Sequence, residues 1–126
     1  KVVKLMIGKG ISINRSRTLI LGLTFKENCP DTRNTKIVDI YREMTEFGSD
    51  VTVLDPWADP AEAKIRYNID LLNNLRAVEE MEFDAVILAV AHDVFKNLDL
   101  KTIRKTVSVV YDCKSVLDKS EVDARL

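Results

Sequence analysis

Gly22-Leu23-Thr24-Phe25-Lys26-Glu27-Asn28-Cys29-Pro30-Asp31-Thr32-Arg33 is the stretch on which the reading of this chain turns. It follows an apolar run, Thr18-Leu19-Ile20-Leu21, that reads as a buried strand. It precedes an amphipathic segment, Lys36 to Phe47, with the period of a helix. A lysine, an arginine and a helix N-terminus are thereby brought to the carboxyl end of a strand. Open α/β sheets bind anions and nucleotides at that edge, where unpaired N–H groups and the helix dipole favour negative charge. The stretch holds one glycine, at the strand end, and then charge. The G-x-G-x-x-G spacing of a dinucleotide loop is absent.

Working outward, the same alternation recurs. Val2 to Gly8 reads as a helix that stops at Gly8-Lys9-Gly10, and 12–17 as a polar connector. The helix from Lys36 carries Ile37, Ile40, Tyr41, Met44 and Phe47 on one face, with Asp31 or Thr32 available as its N-cap and Gly48 to end it. Asp50 to Leu54 is a second strand, and Asp59-Pro60 opens a helix to Tyr67 with cap and N1 chemistry. Ile69 to Leu72 reads either as a short strand or as a turn into a helix near 72–81. Ala85 to Val90 is a fully buried strand, Phe95 to Lys105 is helical in two pieces, and Val107 to Asp112 is the last clear strand. The tail, 117–126, is polar with a faint helical pattern. Strands about thirty residues apart with helices between them predict βαβ units. The fold class expected is therefore α/β: three layers around a doubly wound, mostly parallel sheet of about five to six strands.

The 126 residues suffice for one core, and a net charge of -1 leaves no cationic field for nucleic acid or an acidic membrane surface. No apolar run approaches the roughly 20 residues that span a bilayer. The opening Lys1-Val2-Val3-Lys4-Leu5-Met6 is too short and polar for a signal peptide, and the chain reads as a piece of a longer protein. Cys29 and Cys113 are too few for a disulfide framework or a zinc site, so a reduced cytoplasmic setting is expected.

The predicted sheet edge carries the candidate site residues. Lys26 either neutralises a phosphate or holds a sugar hydroxyl, or is a solvated loop lysine. Arg33 in a first helical turn is unfavourable for the dipole unless an anion or a carboxylate offsets it, and Asp31 is the obvious local partner. Asp55 stands where a dinucleotide fold grips a ribose, but with Pro56 behind it a turn cap explains it better. His92-Asp93 either meets a ligand or starts a helix, the second being favoured. Cys29 has no base beside it in sequence and reads as a small loop residue. Trp57 reads as half-exposed packing. Asp112-Cys113-Lys114-Ser115 repeats the strand-then-cation arrangement, so Lys26 and Lys114 on adjacent strand ends would form a clamp for a diphosphate or a sugar.

Leu21 to Lys36, Asp55-Pro56-Trp57, Phe83 to His92 and Tyr111 to Leu117 together resemble the C-terminal domain of the UDP-glucose/GDP-mannose dehydrogenase family, over nearly the whole chain and with motif order kept. The likeness is nearest to bacterial enzymes that oxidise UDP-N-acetylhexosamines for capsule, Vi and O-antigen sugars. The resemblance implies a Rossmann-like UDP-sugar-binding lobe over 16–126, with 1–15 as the end of an inter-domain helix and its connector. It implies NAD bound by a separate N-terminal domain, a central helical region with the catalytic cysteine, and a homodimer or higher oligomer. The sugar C6 alcohol would be oxidised in two hydride transfers through a thiohemiacetal and a thioester. The family's substrate-contacting Phe-Lys pair falls on Phe25 and Lys26, its Asp-x-Arg on Asp31 and Arg33, and a substrate-contacting arginine on Lys114. Lysine keeps that charge and loses the bidentate fork. Where animal members carry Glu-Trp this chain has His92, whose role is open. On this reading the chain itself holds no catalytic residue, no cofactor site and no metal site.

The competing expectation from another class is a stand-alone flavodoxin-like binding or signalling domain. That would require an acidic cluster at the strand ends, and the first strand ends in Gly22-Leu23.

Overall fold

The computed structural model describes residues 1–33 and 35–126. The apolar run near residue 20 forms β1 (Arg17–Leu21), with Leu19, Ile20 and Leu21 wholly buried. β2 (Asp50–Leu54) and β4 (Phe83–Leu88) lie on either side of it, both parallel. β3 (Leu71–Leu72) extends the sheet beyond β2, while β5 (Arg104–Asp112) and β6 (Ala124–Arg125) extend it beyond β4. The order is β3-β2-β1-β4-β5-β6, every pairing parallel. A flavodoxin-like chain would run 2-1-3-4-5, so the topology removes that alternative.

Side chains alternate across the strands and make two cores. Ile20, Val53, Ala85, Ile87 and Val109 face α1 (Val2–Gly8), α2 (Ile37–Glu46) and α3 (Pro60–Tyr67). Leu19, Leu21, Leu54, Val86, Leu88 and Val110 face the other way, onto Val78, Phe95, Leu100, Ile103 and Leu117. That second layer is built from short pieces: the 3-10 turn Leu75–Val78, α4 (Asp93–Lys96) and the 3-10 turn Leu100–Thr102. A sheet buried on both faces explains why the strands read as continuous apolar runs.

Several boundaries differ from expectation. The segment after β3 is a single 3-10 turn and not a helix over 72–81, because Asn74 turns back to accept the Arg76 N–H at 3.0 Å. The helical stretch after β4 is in two pieces as expected, but it starts at Asp93 rather than Phe95, and β5 begins at Arg104 rather than Val107. α2 starts at Ile37 without Asp31 or Thr32 as its cap. The Thr35 hydroxyl accepts the Ile37 N–H at 3.2 Å, while Asp31 is engaged by Arg33. On the buried face of α2, Val38 is covered and Phe47, just past its end, is exposed. The tail forms a 3-10 turn, Lys119–Glu121, and then β6. Asp123 anchors it: its carboxylate accepts the Val110 N–H at 2.7 Å and its own N–H reaches the Val110 carbonyl at 2.8 Å. No periodicity is visible in a strand of two residues.

Candidate functional site

The strand order reverses between β1 and β4, and the crevice above that switch point is where such sheets take ligands. Gly22 makes the crevice possible. Its φ is +106°, and a Cβ there would stand 2.5 Å from Cβ of Val90. The chain leaving β1 therefore passes against the end of β4 before arching outward. Beyond it lies a cleft of about 180 Å³ lined by Phe25, Thr35, Lys36, Val90 and Lys114. It is bounded on one side by the N-terminal turn of α2, whose first N–H groups favour an anion.

The arch is held from below by a buried polar cluster. Asp55 and His92 are both fully buried. Oδ2 of Asp55 accepts the N–H groups of Leu23 and Thr24 at 2.7 and 3.0 Å and meets His92 Nε2 at 3.0 Å. Its Oδ1 accepts the Trp57 N–H at 2.8 Å. Burial pushes the Asp55 carboxyl upward, but the bonds from His92, Leu23 and Thr24 outweigh it and hold its pKa below the ordinary aspartate value. On the other edge of the ring, the Asn28 N–H donates to His92 Nδ1 at 2.8 Å. A backbone N–H can bond only to a lone pair, so Nδ1 is unprotonated and the ring proton sits on Nε2. Trp57 stacks on the ring at 6.1 Å between centroids and 28° between planes, with Phe95 tilted at 5.4 Å.

Phe25 and Lys114 meet at the cleft, and Lys26 is exposed beside Phe25 on the tip of the arch. Lys26 and Lys114 do not lie on adjacent strand ends as expected, since β4 runs between β1 and β5. Asp31 and Arg33 pair with each other: Nε to Oδ1 at 3.0 Å and Nη2 to Oδ2 at 3.2 Å, with the Arg33 N–H also on Oδ1 at 2.9 Å. The Arg33 side-chain bond, its N–H and its charge together lower the Asp31 carboxyl to about 2. His92 is the N-cap residue of α4 as expected, but its ring lies under the arch and not in the cleft. Asp55 is more than a turn cap, because it reaches across to the loop after β1. Lys36 and Thr35 were missed as cleft residues; their place in the turn before an amphipathic helix was the available signal. Cys113 is half-buried, and burial followed by the Asp112 charge pushes its thiol up, away from nucleophilic use. Among the described residues no group of three His, Cys, Asp or Glu side chains is placed to hold a metal ion.

Residues 19–119 match the UDP-glucose/GDP-mannose dehydrogenase family, UDP binding domain. The chain belongs to that family. It is 43% identical over 129 aligned positions to a UDP-N-acetyl-D-glucosamine 6-dehydrogenase of Pseudomonas aeruginosa, covering 100% of this chain and 30% of that protein. Protein CapL of Staphylococcus aureus is 38% identical, over 97% of this chain and 28% of CapL. The fold agrees with the structure of an NDP-N-acetyl-D-galactosaminuronic acid dehydrogenase from Methanosarcina mazei, at TM-score 0.77 and 24% identity, covering 94% of this chain and 25% of that one. The chain thus spans under a third of the relatives it matches.

This UDP binding domain shares its strand order with dinucleotide-binding sheets, yet its residues do not fit NAD. The first loop has one glycine, and Val90 packs on it where a pyrophosphate would need open backbone. Asp55, at the ribose-gripping position, already takes three backbone N–H groups and the His92 ring and faces no solvent.

Proposed function

We propose that this domain is the substrate-binding lobe of a longer NAD-dependent nucleotide-sugar 6-dehydrogenase. That enzyme oxidises a UDP-N-acetylhexosamine, or a related UDP-hexose, to the uronic acid used in surface polysaccharide. The observation that carries this is the cleft at the switch point, where an exposed aromatic ring and two lysines converge beside a helix N-terminus. Phe25, 62% exposed, offers a face for the base or sugar ring. Lys26 and Lys114 are the diphosphate and sugar contacts, joined by Lys36. Lys114 acts there as a point charge, without the two-pronged bond an arginine would make. Asp31, Arg33 and His92 shape the loop and leave the ligand contacts to others.

Hydride transfer to NAD and the nucleophile belong to the rest of the enzyme. Residues 1–15 would join that part to the lobe formed by 16–126, in a cytoplasmic homo-oligomer. The 43% identity to a UDP-N-acetyl-D-glucosamine 6-dehydrogenase supports the N-acetylhexosamine class. UDP should bind the isolated lobe weakly, since an open cleft of about 180 Å³ covers only part of a nucleotide sugar. Calorimetry giving a micromolar Kd for the lobe alone would contradict that half-site picture.

The decisive experiment is steady-state kinetics of the longer enzyme with UDP-N-acetyl-D-glucosamine and NAD. Lys26→Ala removes a charge-assisted contact of about 1.5–3 kcal/mol. It should raise the KM for the UDP-sugar by roughly ten- to a hundredfold, leaving that for NAD in place. An unchanged KM would return Lys26 to a solvated loop side chain.

A further inference from the structure

The residues proposed to touch the ligand stand on a short arch, and one ring holds both of its ends. Thr24 and Asn28 are the ends; Phe25, Lys26 and Glu27 between them are exposed. The Thr24 hydroxyl donates to the Lys26 carbonyl at 3.0 Å, which leaves its lone pairs to face His92 Nε2 at 3.1 Å. The Asn28 N–H bonds to Nδ1 at 2.8 Å. Nε2–H is shared between Thr24 and Asp55, and Asp55 also holds the N–H groups of Leu23 and Thr24. Asn28 adopts φ +54° and its side-chain oxygen accepts the Asp93 N–H at 3.1 Å, so the arch and the turn after β4 clasp each other. The ring itself has no exposed surface, and Trp57 and Phe95 pack on it.

We propose that His92 is a positioning residue for nucleotide-sugar binding: its two ring nitrogens fix the arch that presents Phe25 and Lys26 before the ligand arrives. A donor and an acceptor on opposite edges of one rigid ring can hold two backbone segments at once. A three-residue exposed tip held at both ends has less freedom to lose when a ligand orders it. Asp55 completes the device by fixing which way the ring faces and which nitrogen carries the proton. The inference rests on the reading of Phe25 and Lys26 as ligand contacts.

The test uses the longer dehydrogenase with UDP-N-acetyl-D-glucosamine and NAD. First, the Phe25→Ala/Lys26→Ala double variant is measured; an unchanged KM there would refute the ligand-contact reading itself. With that KM raised, His92→Phe should raise the UDP-sugar KM by roughly tenfold, with kcat and the KM for NAD within about twofold. His92→Gln keeps a donor near Nε2 and His92→Asn an acceptor near Nδ1, so each should recover part of the loss. The deciding arm is the double-mutant cycle. In the Phe25→Ala/Lys26→Ala background, His92→Phe should change the KM by less than about twofold, because the arch no longer carries a contact to position. Full multiplication of the two effects, or a His92→Phe enzyme with wild-type KM, would overturn the proposal. Should His92→Phe not fold, Thr24→Val frees one end of the arch and is read through the same cycle, with the same outcomes for and against.

Discussion

Asp55 and Asp112 stand at the carboxyl ends of β2 and β5 in the same sheet, both are fully buried, and each accepts three backbone N–H groups, but they do different work. Asp112 takes the N–H groups of Lys114, Val116 and Leu117, all within five residues, and so folds its own turn around Ser115 at φ +56°. Asp55 takes one local N–H, from Trp57, and two from Leu23 and Thr24 more than thirty residues earlier, and adds the His92 ring from a third strand end. One aspartate shapes a loop. The other joins three loops into a platform below the cleft. A strand-end carboxylate thus caps its own turn or ties distant loops together according to whose N–H groups it collects, which its own neighbours in sequence do not reveal.

The comparison predicts unequal losses. Asp55→Ala leaves buried donors from three segments without partners, at about 1–3 kcal/mol each, and should cost at least about 4 kcal/mol in urea denaturation. A loss under about 1 kcal/mol would reduce the platform to a bystander. Gly22→Ala comes next: a left-handed φ of +106° and a 2.5 Å approach to Val90 predict a loss of about 2–4 kcal/mol. Suppression by Val90→Ala would show that the contact, and not φ alone, sets the cost. Asp112→Ala should cost about 2 kcal/mol, less than Asp55→Ala because water can reach the exposed turn it holds. If the order of the two aspartates were reversed, the contrast between local and long-range caps would fail.

pH separates the same groups more gently. Asp55, Asp31, Asp93 and Asp118 all have folded pKa values below the ordinary 3.8, Asp31 at about 2. A carboxyl lowered on folding adds stability above its unfolded pKa and loses it as pH falls through the folded value. Urea midpoints should therefore hold steady down to about pH 4 and decline below it, toward about pH 2. Carboxyl NMR titration should place Asp31 near 2, and Arg33→Ala should return it toward 3.8. The smallest effect expected is that of Cys29→Ser, a loop thiol with no place in the cluster. Stability should change by less than about 0.5 kcal/mol. Turnover of the longer enzyme should persist, and a loss of several orders of magnitude in kcat would make Cys29 the nucleophile after all.

The α/β architecture, and the polar residues that follow the buried strands, were legible in the sequence. Apolar runs spaced for βαβ units, the Asp59-Pro60 helix start and the charge after Leu21 are local signals, and the periodicities that encode them survive without any partner. Lys26 and Lys114 stood out for the same reason, as cations following buried strands, whereas Phe25 came only with the family resemblance; the structure brings Phe25 and Lys114 to one cleft and leaves Lys26 exposed beside Phe25. β6 was not legible, because two residues have no period and pairing comes from Asp123 reaching Val110. The 3-10 turns that replaced expected helices were fixed by side-chain caps at Asn74 and Asp99 and by the short distance left before the next strand.

The order of strands in the folded sheet sets Lys26 and Lys114 two strands apart, and packing brings Lys36 and Thr35 into the cleft with Phe25. The tertiary structure alone converted Asp55 and His92 from a turn cap and a helix start into the support of the arch. Their partners lie 31 to 68 residues away along the chain, and a hydrogen bond between such residues depends on which strands become neighbours. Sequence pattern records what each segment buries; only the folded sheet decides which strand ends meet above it.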